Sequence, residues 1–391
     1  MKKSSNVLSV LIAACLCYLS YGLSAKESWD DVERIVAIGD IHGGYAQMFS
    51  LLKATGLINR SGKWTGGKTH LVQTGDIPDR GPDTAKIIRF FMRLEKQAKR
   101  KGGYVHLLVG NHEAMNISGD LRYVSPEEYA ALKTRKSGLL LDRYYNANVS
   151  WMKKNLPAEN LPVFDAAHRE QWDRRFPPGY VEHRNSWALG GEFGAWIAKH
   201  NAVIRINNIL FLHGGLGPAY SDRTLKQINE EVGNALLDTV RSSAPEVGKP
   251  VSILEHVEGP LWYRGLARNA EEMEKDNLES VLKAYGVEHI VLGHTVTEGA
   301  IKPRFGGQVI LIDVGMSAHY GSHAAALIIE GGSFFTVHRG EKLSLPFSGQ
   351  ELIEYYETAA ALEPDSRRLD LYIMTLKKTD ESLDGPAGCV E

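Results

Sequence analysis

Cysteine is nearly absent: the chain of 391 residues has three, Cys15, Cys17 and Cys389. The first two fall in an apolar leader-like segment, so a disulfide-stapled scaffold is excluded and the fold must rest on its core. Charge of one sign is lacking as well. Lys and Arg number 45 against 47 Asp and Glu, a formal net charge of −2. That balance gives no sign of a polyanion-binding surface, and nucleic acid is not an expected partner. There is no internal repeat of the kind that builds solenoids. Long hydrophobic runs are missing but for one near the amino terminus. What is present, 43% hydrophobic residues against 24% charged, suffices for a substantial core.

The one apolar run extends from Val7 to Leu19, preceded by Lys2 and Lys3 and followed by Ser20, Gly22, Ser24 and Ala25. A basic start, an apolar middle and a small-residue exit are the marks of a secretory signal peptide, with cleavage expected around Gly22–Ala25. The run is too short to span a bilayer comfortably, so no stable membrane insertion is expected after its removal. A second reading takes "IAAC" at 12–15 as a lipoprotein processing box that would anchor the chain through Cys15. The expected location is therefore the periplasm or the exterior, with a net charge near −4 once Lys2 and Lys3 are lost.

Beyond the leader the chain alternates apolar, β-branched runs with helical patterns. "RIVAI" at 34–38, "THLVQ" from 69 and "YVHLL" from 104 read as strands that run into loops, and 45–54 and 83–100 read as helices between them. Strands return at 202–213, with a turn at Asn207–Asn208, then at 289–294, 308–315, 324–332 and 333–339, the last two joined at Gly331–Gly332. This rhythm predicts an α/β layered core. The region 114–200, rich in Tyr, Trp, Arg and Glu, breaks it and reads as a mostly helical insertion. The expected organisation is a leader at 1–25, a catalytic domain at 26–345 containing that insertion, and a tail at 346–391, helical from 349 and loose and polar from 379.

Chemistry gathers where strands end. Asp40 and His42 follow the first strand; Asp76, Asp79 and Arg80 the second; Asn111, His112 and Glu113 the third; His213 and His294 close two later ones. Each piece alone has a bland explanation. "GDIHG" and "GDIPDRG" are built of turn residues, and a lone His213 or His294 reads as a buried structural histidine. Functional loops of open α/β sheets, however, collect at the carboxyl ends of strands. Five such junctions delivering Asp, His and Asn, with no Cys, describe a divalent-ion site with N and O ligands, suited to Mn, Fe or Zn.

Taken in order, "GDIHG", "GDIPDRG", "GNHE", "HGG" and "GHT" resemble the metallophosphoesterase superfamily. The "DRG" and "GNHE" forms resemble its phosphoprotein phosphatase branch. "GGEFGAWIAKHNAVIRINNILFLHGGL" and "GPLWYRG" resemble the bacterial Shewanella-like phosphatases. The resemblance implies a β-sandwich flanked by helices and a dinuclear metal centre, with manganese ahead of iron or zinc. It implies that Asp40, His42 and Asp76 hold one ion and that Asp76, Asn111, His213 and His294 hold the other. His112 would be the general acid, oriented by Asp79, and Arg80 and Arg264 would bind the phosphoryl oxygens. Pro78 stands where the family usually has an aliphatic residue. "DVGMS" at 313–317 replaces a segment that shapes the eukaryotic substrate groove.

Two ions about 3.5–4 Å apart would clamp an in-line displacement by a bridging hydroxide, so the expected activity is phosphomonoester hydrolysis. The substrate would be a phosphorylated protein (Tyr, or Ser/Thr) or a small phosphomonoester, with a tilt toward phosphotyrosine that rests on the resemblance. The alternatives are a diadenosine tetraphosphate-type phosphoanhydride hydrolase and a metal-binding interaction module without turnover. Asp313, His319 and His323 are read as pocket-bordering or structural. Tyr123, Tyr129, Tyr144, Tyr145, Trp151 and Trp172 are read as core of the insertion or as the lining of an aromatic pocket, with core favoured.

Overall fold

The computed structural model describes residues 26–239 and 251–383. The leader, its cleavage region and all three cysteines lie outside the described residues. Among the described residues, no helix is long and apolar enough to cross a membrane.

In chain order the elements begin with β1 (Ser28–Trp29), β2 (Arg34–Ile38), α1 (Tyr45–Ala54), β3 (His70–Gln73), α2 (Thr84–Lys99) and β4 (Tyr104–Leu107). Six helices follow without a strand: α3 (Asn111–Ser118), α4 (Pro126–Leu132), α5 (Ser137–Asn155), α6 (Ala166–Arg175), α7 (Tyr180–Trp187) and α8 (Gly194–Ile197). Then come β5 (Val203–Ile206), β6 (Ile209–Leu212), α9 (Leu225–Asp238), α10 (Gly265–Arg268), α11 (Glu271–Tyr285), β7 (His289–Leu292), β8 (Lys302–Arg304) and β9 (Val309–Leu311). The chain closes with β10 (Ala325–Glu330), β11 (Ser333–His338), β12 (Glu341–Ser344), α12 (Gly349–Leu362) and α13 (Arg367–Leu383).

The strands form two six-stranded mixed sheets, ordered β12-β11-β10-β2-β3-β4 and β1-β5-β6-β7-β9-β8. In the first, β2, β3 and β4 run parallel while β10 returns antiparallel against β2. In the second, β6, β7 and β9 run parallel. Strands buried on both faces carry near-continuous apolar sequence, and here each divides its side chains between two cores. Ile35 and Ala37 of β2, Phe211 of β6, Val291 of β7, Ile310 of β9 and Leu327 of β10 share the inner core. Their neighbours Val36, Ile38, Leu210, Leu292, Leu311 and Ile328 belong to the outer core, with Leu51 of α1 and Phe91 of α2. The result is a sandwich with helices on its outer faces.

Two departures from the sequence reading matter. "GNHE" is not a loop. Gly110, extended at φ −98°, caps α3, and Asn111, His112 and Glu113 are its first turn. The tail is helical to Leu383, past the point where loose chain was expected, and Tyr355, Tyr356 and Ala359 of α12 complete the inner core.

The carboxyl ends of β2 and β9, one from each sheet, meet at Gly39. A Cβ there would lie 2.4 Å from the Ile312 carbonyl oxygen, closer than any real contact, and backbone cannot step aside as a flexible side chain can. Gly39→Ala is expected to destabilise the chain by about 1–3 kcal/mol, read as a lower denaturation midpoint; an unchanged midpoint would show that this junction is not close-packed.

Candidate metal centre

The segments after β2, β3, β6 and β7, together with the first turn of α3, converge on the Asp76 carboxylate. His213 Nε2 lies 3.3 Å from Asp76 Oδ2, His42 Nε2 3.7 Å and His112 Nε2 3.8 Å. Asn111 Oδ1 is 2.8 Å from His213 Nε2, and His42 Nε2 is 3.9 Å from Asp40 Oδ2. Asp40 Oδ1 and Oδ2 accept the His294 amide at 3.0 and 3.2 Å. All these residues are buried. Two groups of three place their ligand atoms within 4.8 Å of one another, His42–Asp76–His112 and Asp76–His213–His294, sharing Asp76.

The donor set fits divalent ions. A ligating imidazole commonly fixes its second nitrogen on a backbone carbonyl or a carboxylate. His42 Nδ1 lies 2.8 Å from the Pro78 carbonyl and His213 Nδ1 2.9 Å from that of Thr74. Both rings therefore turn Nε2 toward Asp76. His294 Nε2 is buried and has no hydrogen-bond partner. The charge state agrees. Burial and the neighbouring His112 hold His42 down to about 3, and burial and His213 hold His294 well below its ordinary value; both are neutral and able to donate a lone pair. Burial, with Asp313 and Asp76 nearby, pushes Asp40 well above the usual carboxylate range. Burial pushes Asp76 up too, but the surrounding histidines outweigh it and hold that group well below. Crowded carboxylates of this kind are what a bound cation relieves.

The loops are shaped to bring these atoms in. His42, Asp76, Asp79, Arg80 and His294 all have left-handed backbone, at φ 45°, 59°, 73°, 68° and 62°, a conformation that costs non-glycine residues on the order of 1 kcal/mol or more. Arg80 and His294 each sit at the centre of a tight three-residue turn, closed by Gly81 N–H to the Asp79 carbonyl at 2.7 Å and by Thr295 N–H to the Gly293 carbonyl at 2.6 Å. Glu113 holds the Asp76 loop from below: its carboxylate accepts the amides of Asp76, Ile77 and Gly110 at 2.9, 2.8 and 2.9 Å.

Beside the hub, His112 Nδ1 pairs with Asp79 Oδ2, and Asp79 Oδ1 accepts Asn116 Nδ2 at 3.0 Å. Burial pushes the His112 imidazole down, but Asp76 and Asp79 outweigh it and the net direction is up. Arg264 approaches from the other side. Its guanidinium donates to the His294 carbonyl at 2.7 Å and to Thr295 Oγ1 at 3.0 Å. Arg80 lies with its guanidinium carbon 4.0 Å from the Tyr123 ring centroid, its Nε buried and without a partner.

Every residue singled out in the sequence as ligand, acid or clamp is thus at this one rim. The undecided ones divide. Asp313 is buried beside Asp40. His319 is exposed. His323 turns away, its Nδ1 3.0 Å from Glu363 Oε2 in the tail. Of the aromatics, Tyr144, Trp172, Phe176 and Tyr180 pack on one another inside the insertion. Tyr129 packs against Tyr180 and edge-on to His183, and Tyr145 packs on His168 and Trp172. Trp151 is exposed, and only Tyr123 of the six reaches the rim. Sequence reasoning gave no role to Glu113 or Asn116. The helical register of α3 was the missing signal: it puts Asn116 one turn beyond His112 on the same face.

The profile of the calcineurin-like phosphoesterases matches residues 33–298. A protein of Schizosaccharomyces pombe is 33% identical over 75% of this chain and 76% of its own length. Shewanella-like protein phosphatase 2 of Arabidopsis thaliana is 31% identical over 73% and 72%. Among solved structures, a cold-active protein-tyrosine phosphatase of a psychrophilic Shewanella species superposes with a TM-score of 0.59 at 28% identity, over 83% of this chain and 84% of the other. The chain belongs to the calcineurin-like phosphoesterase family, and its fold and hydrolase chemistry are those of a metallophosphatase.

Proposed function

We propose that this protein is an exported, metal-dependent protein phosphatase that hydrolyses phosphomonoesters, with phosphotyrosine its preferred substrate. The observation that carries the reading is the convergence on one buried rim of a shared carboxylate, Asp76, an Asp79–His112 pair and two arginines, Arg80 and Arg264. The names of the Arabidopsis and Shewanella relatives support the choice of protein over nucleotide substrates, and the Shewanella name supports tyrosine.

In this reading Asp40, His42 and Asp76 hold one divalent ion and Asp76, Asn111, His213 and His294 the other, with manganese ahead of iron or zinc. When bound, such a pair supplies a nucleophilic water at neutral pH and offsets charge on the phosphoryl oxygens. The rest falls to the chain. Arg80 and Arg264 donate to the phosphoryl oxygens, where a planar fork serves better than a lysine. His112, whose carboxylate neighbours Asp76 and Asp79 favour its protonated form, gives a proton to the departing oxygen. Asp79 fixes the ring so that Nε2 faces the reaction. Export, cued by residues 1–25, belongs to the same proposal.

The experiment is phosphate release by residues 26–391, with and without Mn²⁺, from one peptide phosphorylated on Tyr and from its Thr counterpart. Metal-dependent release, faster from the Tyr peptide, is expected; no release from either peptide with metal bound would overturn the reading. Asp76→Ala should lose both ions by elemental analysis, and a fully loaded variant would show that Asp76 is not shared. His112→Asn should cut turnover of an alkyl phosphate by about 10²–10⁴-fold with metal content nearly intact. An aryl phosphate with a good leaving group should lose much less, and an equal loss on both substrates would remove His112 from the proton-donor role.

A further inference from the structure

Asp79 and Arg80 are two consecutive non-glycine residues in left-handed backbone, at φ 73° and 68°. Nothing in "GDIPDRG" itself pays for that conformation beyond Gly81. What lies over the pair comes from the helical insertion, in the short strap between α3 and α4. The Arg80 amide donates to the Tyr123 carbonyl at 3.1 Å. The Tyr123 ring centroid lies 4.0 Å from the Arg80 guanidinium carbon and 5.1 Å from the centroid of the His112 ring. At the other end of the strap, Ser125 caps α4, and Glu128 on that helix is buried at 3% exposure against Asp79. Arg184 of α7 donates to the Asn116 and Ile117 carbonyls at the end of α3, so the strap leaves a helix that the insertion itself holds down.

We propose that Tyr123 is a positioning residue for phosphate recognition: its carbonyl and its ring together hold Arg80 in its strained turn, with the guanidinium aimed at the substrate phosphoryl group. This gives the insertion a task at the reaction centre. An arginine side chain has many rotamers, and fixing one in advance removes an ordering cost from binding. The ring does this through a cation–π contact, its centroid 4.0 Å from the guanidinium carbon, which uses none of the guanidinium hydrogen-bond donors. Tyr320 supplies a second, more distant ring, its centroid 5.9 Å from the same guanidinium.

The inference rests on the reading of Arg80 as a phosphate clamp. Its test is the affinity of the Mn²⁺-loaded chain for inorganic phosphate, by calorimetry, with steady-state kinetics on an aryl phosphate alongside. Tyr123→Leu should weaken phosphate about 3- to 30-fold and raise KM by a similar factor, with a smaller change in kcat and unchanged metal content. Tyr123→Phe keeps the ring and the carbonyl and should stay within about twofold of wild type. A purely structural tyrosine would lower the melting temperature of the Leu variant and leave phosphate affinity alone; that result overturns the proposal, as does a Phe variant no better than Leu. Tyr123→Met, similar in volume without a π face, takes the place of a Leu variant that does not fold. Failure of both to fold, with Phe folding, would make the ring a core element and also overturn it. A wild-type chain that binds phosphate but hydrolyses no phosphomonoester would sink the proposed function alone, and the affinity series would still decide the role of Tyr123.

Discussion

One carboxylate oxygen, Asp76 Oδ2, has imidazole nitrogens of His213, His42 and His112 at 3.3, 3.7 and 3.8 Å. The arrangement holds together only while that oxygen stays charged and stays put. Its charged form is favoured chiefly by His213 and His112 beside it, against a burial that would otherwise neutralise it. Its position is kept from below by Glu113, which gathers three backbone amides of two different loops onto one carboxylate. Removing Glu113 would leave those buried donors unpaired, at a cost of about 1–3 kcal/mol each. Glu113 thus belongs to the scaffold of the site and not to its reacting face.

The same economy of space recurs in the backbone. A Cβ on Gly110 would lie 2.3 Å from Asp76 Oδ1, and one on Gly293 would lie 2.5 Å from Asp40 Oδ1. The strand ends approach so closely that the glycines of "GNHE" and "LGHT" are as necessary to the geometry as the polar residues beside them. Strain at five site residues is the other face of that crowding. It persists because burial and hydrogen bonding over-determine each turn.

Much of this was written plainly in the chain. The apolar run Arg34–Ile38, the helix Tyr45–Ala54 and the turn at Gly331–Gly332 stand where their patterns put them. Elements of two to four residues escaped notice: β1 is two residues long, β8 carries Pro303, which only an edge strand accepts, and β12 is largely exposed. The assignment of strands to two sheets was also illegible, because a strand buried on both faces reads the same in either sheet. Residues proposed as ligands were findable because chemistry at strand ends is local. Glu113 and Tyr123 stand out in the sequence as well, as a strand-end residue and an aromatic of the insertion, but their particular tasks do not, because those depend on which loop a helix start or a strap happens to cover.

The site is also assembled from distant parts of the chain. The His294 amide and the Asp40 carboxylate that accepts it are 254 residues apart, and His213 reaches the Thr74 carbonyl across 139. Contacts of such separation are non-local ones, whose loop-closure cost must be met before they stabilise anything. The parallel unit from β2 to β4 pairs across connections far shorter than these, but the rim is complete only with the second sheet docked against it. For a chain that holds metal the consequence is that neither sheet alone carries the full ligand set, which exists only where the two are docked. Folding itself then sets when the ions can be held.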